Sequence, residues 1–86
     1  MARNPLARDV VMFDVEVAEH EVRVGPSRTV RVPAFSVRLG GVSERMARMS
    51  ALRQAQTAAG VPPWRPCRRE GWRFVKATRH VTELAA

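Results

Sequence analysis

The stretch FSVRLGGVSERMARMSALRQAQTAAG, residues 35–60, decides the fold because its apolar pattern changes period halfway along. Up to Gly40 the apolar residues alternate with polar ones, which is typical of a half-buried strand. Beyond it, Ser43 provides an N-cap and Gly60 suits a left-handed C-cap, with no other Gly or Pro between them. These signals predict a strand followed by a helix over residues 43–59.

The residues before this stretch predict further strands. Alternation over residues 11–17 indicates a strand with one buried face. The apolar residues change parity at Val22, so either a turn lies around residues 18–21 or one long strand carries a bulge there. A Gly-Pro-Ser-Arg turn at residues 25–28 precedes another short strand at residues 29–32.

After the helix, residues 61–71 are predicted to form a proline-rich connector and residues 72–84 a closing strand. The predicted fold class is therefore α+β, with an antiparallel β-meander of three to four strands, one helix packed on the sheet and a C-terminal closing strand. Residues 1–8 are predicted to be a flexible arm, and residues 9–86 a single small α+β domain.

The predicted helix has two apolar stripes. The stripe of larger side chains is expected to face the sheet, because these side chains bury more area. The alanine stripe then reflects helix propensity or the close approach of a second surface. The larger stripe comprises Val42, Met46, Met49, Leu52 and Gln56, and the alanine stripe comprises Ala47, Ala51, Ala55 and Ala58.

Positive charge is unevenly distributed along this chain of 86 residues, whose net charge is +7. Through Glu21 there are two arginines and five acidic residues, whereas from Val22 onward there are thirteen cations and three acidic residues. Fourteen of the fifteen cations are arginine, and a guanidinium group pairs bidentately with phosphate or carboxylate oxygens. This asymmetry predicts a basic surface that attracts nucleic acid or an acidic protein.

The densest cluster of cations and tryptophans lies in residues 64–79, and it is the candidate binding site. Trp64 follows two prolines and is as consistent with base stacking as with packing, whereas Trp72 is interpreted as a core residue of the closing strand. Three helix arginines are predicted to extend the basic surface. The candidate set is Trp64, Arg65, Arg68, Arg69, Arg73, Lys76 and Arg79, with Arg45, Arg48 and Arg53 as secondary members.

The remaining reactive side chains do not form a recognisable site. Cys67 lies beside arginines that would favour its thiolate, but no base is linked to it in sequence, so a buried structural role is favoured. His20 is expected to be a solvated turn residue, and neither it nor His80 has metal-ligand spacing to other residues. Asp14 and Glu16 are expected on the polar face of a strand, paired with arginines on neighbouring strands such as Arg23 or Arg31. No catalytic, metal or cofactor site is predicted.

Two functional classes remain. The first is a small accessory protein of the phage or mobile-element type that binds nucleic acid mainly through arginine–phosphate contacts. The second is an inhibitor or adaptor that docks its basic surface on an acidic or nucleic-acid-binding partner, such as a host defence or transcription complex. An enzyme is not expected, and a homodimer remains an open alternative because so small a core gains stability from association.

The expected location is cytoplasmic. A single cysteine excludes an intramolecular disulfide framework, which suits a reducing compartment. The first residues lack the apolar core of a secretory signal, and no uncharged apolar run approaches the roughly 18 residues of a membrane span. No membrane partner is therefore expected.

Overall fold

The computed structural model describes residues 9–62 and 69–83, and it confirms the α+β class with one helix on a sheet and a closing strand. The predicted arm at residues 1–8 lies outside the described residues. The elements are β1 (Asp9–Val17), β2 (His20–Arg23), β3 (Thr29–Val32), β4 (Phe35–Gly40), α1 (Glu44–Ala58), a 3₁₀ segment (Arg69–Phe74) and β5 (Val75–Glu83).

The main sheet has three antiparallel strands in the order β4-β1-β5. Strand β1 is central because its apolar alternation gives it one face to bury against the helix, and Phe13, Val15 and Val17 are buried there. Its register places Val15 opposite Val37 of β4 and opposite Ala77 of β5. The intervening residues of β1 alternate onto the other face, which no element among the described residues covers.

Strands β2 and β3 form a separate two-stranded sheet, here called the hairpin (residues 20–32). The chain leaves the main sheet at Ala18 and Glu19 and returns to it at β4, so the strands of the first half are divided between two sheets. The parity change at Val22 therefore reflects the interruption between β1 and β2 at residues 18–19 and not a bulge within one strand. The base of the hairpin is packed, since Val32 is fully buried.

Both predicted ends of the helix are confirmed. Ser43 accepts a hydrogen bond at Oγ from the Met46 backbone N–H at 3.2 Å. At the other end Gly60 has a positive φ of 95°. The Gly60 N–H donates to the Thr57 carbonyl and the Val61 N–H to the Gln56 carbonyl, which together satisfy the last turn as a Schellman motif.

The face that the helix buries differs from the prediction. Ala47, Ala51 and Ala55 are buried together with Leu52 and Gln56, whereas Val42 and Met46 are 40% and 55% exposed. The prediction that the larger stripe faces the sheet is therefore wrong at its N-terminal end. The sheet already supplies large side chains from β1 and β4, and small helix residues allow the two backbones to approach closely.

The closing strand begins later than predicted, at Val75, because residues 69–74 form the 3₁₀ segment. Trp72 lies in this segment and not in a strand, but it packs partly buried against the core, as a core residue would. A Cβ on Gly71 would lie 2.9 Å from a methyl carbon of Leu52. The 3₁₀ segment therefore packs directly against α1 at Leu52, and glycine at position 71 leaves room for the Leu52 side chain.

Candidate functional site

The cations of β5 are divided between the two faces of the main sheet. Arg79 lies opposite Phe13, whose side chain is buried, and so it projects on the side of the sheet that carries the helix. Lys76 lies opposite Glu16 on the uncovered side, here called the open face. The prediction that the cations of residues 64–79 share one surface is therefore wrong for Lys76, since strand residues three apart project to opposite faces.

Two helix arginines, Arg45 and Arg53, are exposed like Arg79. Arg45 precedes Leu52 by seven residues, which places it on nearly the same line along the helix. Arg53 precedes Gln56 by three residues and is its neighbour on the helix surface. Arg45 therefore lies on the line of Leu52 about two turns nearer the N-terminus, whereas Arg53, the residue after Leu52, projects about 100° away from it around the helix.

Arg73 joins this group from the 3₁₀ segment itself. Its guanidinium carbon lies 4.8 Å from the centre of the Phe74 ring, a cation–π contact that orients the side chain without neutralising its charge. We call these four residues, all exposed, the arginine flank: Arg45, Arg53, Arg73 and Arg79. Among the side chains that the structure describes, those of residues 11–62 and 71–81, no ion pair engages any of them.

Arg48 differs from the other two helix arginines because it is engaged within the fold. It is half-buried, donates from NH1 to the Val75 carbonyl at 3.2 Å and lies 3.8 Å from the Glu44 carboxylate through NH2. The side chain therefore ties the first turns of α1 to the start of β5. We assign it a structural role.

Part of the predicted site lies outside the described residues. Trp64, Arg65 and Arg68 belong to this part, as does Cys67. Arg69 is the first residue of the 3₁₀ segment, which places its backbone next to the arginine flank.

The open face carries charges that neutralise one another. Asp14 accepts from Arg38 Nε at 2.6 Å and from Arg38 NH2 at 3.2 Å, and its Oδ2 lies 2.5 Å from His80 Nε2. The hydrogen bond from Arg38 is the largest cause that holds the pKa of the Asp14 carboxyl below its usual range. The same contact raises the pKa of Arg38 further, so both groups are ionised at neutral pH.

The predicted pairing with an arginine of a neighbouring strand is confirmed for Asp14, whose partner is Arg38 and neither Arg23 nor Arg31, whereas Glu16 has no ion pair among the described side chains. Arg31 pairs with Glu19 at 2.5 Å, and Arg38 takes the place beside Asp14. Arg23 binds no carboxylate and instead donates to the carbonyls of Gly25 and Pro26.

His20 is the residue that the sequence interpretation placed least well. It is buried, not solvated, and its ring stacks on Phe74 with centroids 4.6 Å apart. Its Nδ1 lies 2.8 Å from the Ala18 carbonyl and its Nε2 lies 3.3 Å from the Gln56 amide nitrogen. His20 shares its strand parity with Val22 and Val24, which was the available signal for burial. It joins the hairpin to α1 and to the 3₁₀ segment that carries Arg73.

Two further findings concern the described part of the chain. No group of three or more His, Cys, Asp or Glu residues there is arranged to hold a metal ion. No helix in residues 9–62 and 69–83 is long and apolar enough to cross a membrane. In comparisons with known proteins, no family model, no curated protein and no solved structure matches the chain.

Proposed function

We propose that the protein is a small non-enzymatic module that binds nucleic acid through contacts between arginines and phosphates. The observation that supports this proposal is the arginine flank, whose four guanidinium groups, on α1, the 3₁₀ segment and the helix side of β5, are exposed and have no carboxylate partner among the described side chains. Unpaired like charges repel one another. An external anion that approaches all four relieves this repulsion.

The open face is a less suitable surface for nucleic acid than the arginine flank. Its cations Arg38 and Lys76 share their face with Asp14 and Glu16, so the local field is close to neutral. A polyanion is attracted by the sum of nearby charges and not by a single cation. The arginine flank is therefore the favoured contact surface, and Arg65, Arg68 and Arg69 adjoin it in sequence through the 3₁₀ segment.

Salt dependence of binding tests this proposal. The logarithm of the association constant for a DNA or RNA duplex should fall linearly with the logarithm of salt concentration, by roughly 0.9 for each phosphate contacted. The double variant Arg45→Ala, Arg53→Ala should lower this slope by roughly two. Alanine preserves the helix because it has the highest helix propensity.

A double variant of the open face, Arg38→Ala with Lys76→Ala, is the matched control because it removes the same formal charge. It should leave the slope within a few tenths of the wild-type value. Binding that does not respond to salt, or an equal effect of the two double variants, contradicts the proposal.

An acidic protein surface is the second candidate partner, and a particular observation favours it. Val42, Met46 and Val81 are exposed beside the arginine flank, at 40%, 55% and 53%. Methionine and arginine are enriched in protein–protein interfaces, whereas phosphate binding gains nothing from exposed apolar side chains.

Affinity capture from nuclease-treated lysate separates the two candidates. Recovery of a discrete protein, weakened by Met46→Gln, would support the second. A Met46→Gln variant that keeps full affinity for nucleic acid while no protein is recovered would support the first.

A further inference from the structure

The two outer strands of the main sheet differ in how well their free edges are protected by charge. In the order β4-β1-β5 each outer strand pairs with β1 alone among the described strands. Each therefore presents a row of backbone N–H and C=O groups along its outer side, and charged side chains normally discourage another chain from pairing there. Strand β5 carries the exposed Lys76, Arg79 and His80, whereas the only charged residue of β4 is Arg38.

The edge of β4 is close to neutral and partly apolar. Arg38 is bound by Asp14 of its own chain, with Nε 2.6 Å from Oδ1. On the helix side of the sheet, three apolar side chains of β4 are half-buried and pack against the core: Phe35, Val37 and Leu39. An edge with apolar side chains and no uncompensated charge is a template for pairing with another strand.

From these features we infer that β4 pairs antiparallel with β4 of a second copy of this chain, about a two-fold axis at Val37. Val37 then lies opposite Val37 of the second copy, and Phe35 lies opposite its Leu39. On the other face Ser36 lies opposite Arg38 of the second copy, so no like charges are opposed. Aromatic and β-branched cross-strand pairs of this kind stabilise antiparallel sheets.

The residues that border β4 favour this register over its neighbours. With the axis at Val37 the whole of β4 is paired, and Pro33, which has no N–H to donate, lies beyond the end of the strand. An axis at Ser36 would place Pro33 opposite Leu39, and an axis at Arg38 would place the two Arg38 side chains opposite each other.

Self-association also suits the size of the sheet. Three strands and one helix form a small core, and small domains commonly gain stability by association. The two-fold pairing gives a continuous sheet of six strands, which is within the usual range. Because opposed residues project to the same face, both helices lie on one side of this sheet.

Disulfide formation between engineered cysteines tests the edge directly. Val37 and Ala77 both lie opposite Val15, one on each outer strand, so they are matched positions. Opposed residues of antiparallel strands have Cα atoms about 4.5–5.5 Å apart, a distance that a disulfide spans. In a Cys67→Ser background, Val37→Cys should form a covalent dimer on mild oxidation and Ala77→Cys should not. No dimer with Val37→Cys, or equal yields from the two variants, overturns the inference.

Sedimentation equilibrium with two variants of Ser36 provides a second test. Ser36 is exposed, and Ser36→Lys would oppose Arg38 of the second copy, so the dissociation constant of the dimer should rise roughly tenfold. Ser36→Glu should leave it at or below the wild-type value. Within one chain residue 36 lies opposite Glu16, so the two substitutions should affect folding stability in the reverse order. A misfolded variant therefore cannot imitate the expected result, and equal dissociation constants for the two variants contradict the inference.

The inference is independent of the proposed function, and salt separates the two. Two copies of a chain with net charge +7 repel each other, so added salt should strengthen the dimer while it weakens nucleic-acid binding. A wild type that sediments as a monomer at every salt concentration overturns the dimer and leaves the proposed function standing if nucleic-acid binding persists. A dimer that binds no nucleic acid at low salt has the opposite consequence.

Discussion

The open face of the main sheet and the arginine flank both carry cations but engage them differently. On the open face Arg38 of β4 and His80 of β5 both bind Asp14 of β1, so the contacts join three strands. On the helix side the arginine flank borders the apolar core, and no described carboxylate binds it. The difference shows that a count of cations in the sequence does not locate a binding surface. Their pairing within the fold does.

The largest expected effect concerns the core that separates the two faces. Leu52 is fully buried and approaches Gly71 of the 3₁₀ segment. Replacement by Ala should lower the free energy of unfolding by about 2–5 kcal/mol, because the large-to-small change leaves a cavity. Urea denaturation measures this change. Arg53→Ala, at the next and exposed position, should stay within about 0.5 kcal/mol, and similar losses for both variants would refute the orientation of the helix.

A smaller loss is expected where the helix approaches the sheet through alanine. Ala51 is fully buried, and Ala51→Leu should cost about 1–3 kcal/mol because the added carbon atoms have no space. Ala58→Leu is the control, since Ala58 belongs to the same stripe but is exposed. Thermal unfolding of both variants measures the difference. If Ala51→Leu is as stable as Ala58→Leu, close packing does not require alanine at position 51, and helix propensity alone explains the alanine stripe.

Strand β5 allows the sharpest comparison of the two faces. Lys76 and Arg79 are both exposed and unpaired among the described residues, but they project to opposite sides of the same strand. Arg79→Ala should lower the salt slope of nucleic-acid binding by roughly one, whereas Lys76→Ala should leave it unchanged. If Lys76→Ala has the larger effect, the open face is the contact surface and the proposed orientation is reversed.

Sequence patterns predicted the secondary structure well wherever a local signal specified it. Period-two alternation located β1 and β4, and Ser43 and Gly60 located both ends of α1. The strand alternation and the two helix caps each depend only on residues close together in sequence. The start of β5 was predicted three residues too early, at residue 72, because the 3₁₀ segment before it depends on packing against Leu52, a residue distant in sequence.

The candidate site was predicted in composition but not in arrangement. Arg73 and Arg79 have the exposure that a binding role requires, yet only the register of β5 against β1 separates Arg79 from Lys76. Arg48 could not be distinguished from Arg45 in sequence, because its engagement depends on a carbonyl of β5. Burial of His20 likewise depends on Phe74 and Gln56, which a local pattern does not bring together.

The smallest expected effect tests whether the open face is a neutralised surface. The pKa of Asp14 is lowered first by its hydrogen bond to Arg38, with a further contribution from His80. A lowered folded-state pKa means that the ionised carboxyl stabilises the fold above its unfolded pKa of about 3.9, and that this contribution is lost as the pH falls through the folded-state value. The stability difference between wild type and Asp14→Asn should therefore shrink as the pH falls from 7 to 3, as measured by urea titrations.

Glu16→Gln, on the same face but without an ion-pair partner among the described residues, is the control and should show much less pH dependence. A difference for Asp14→Asn that does not change with pH would mean that Arg38 is free to bind external anions, and the contrast between the two faces would then disappear.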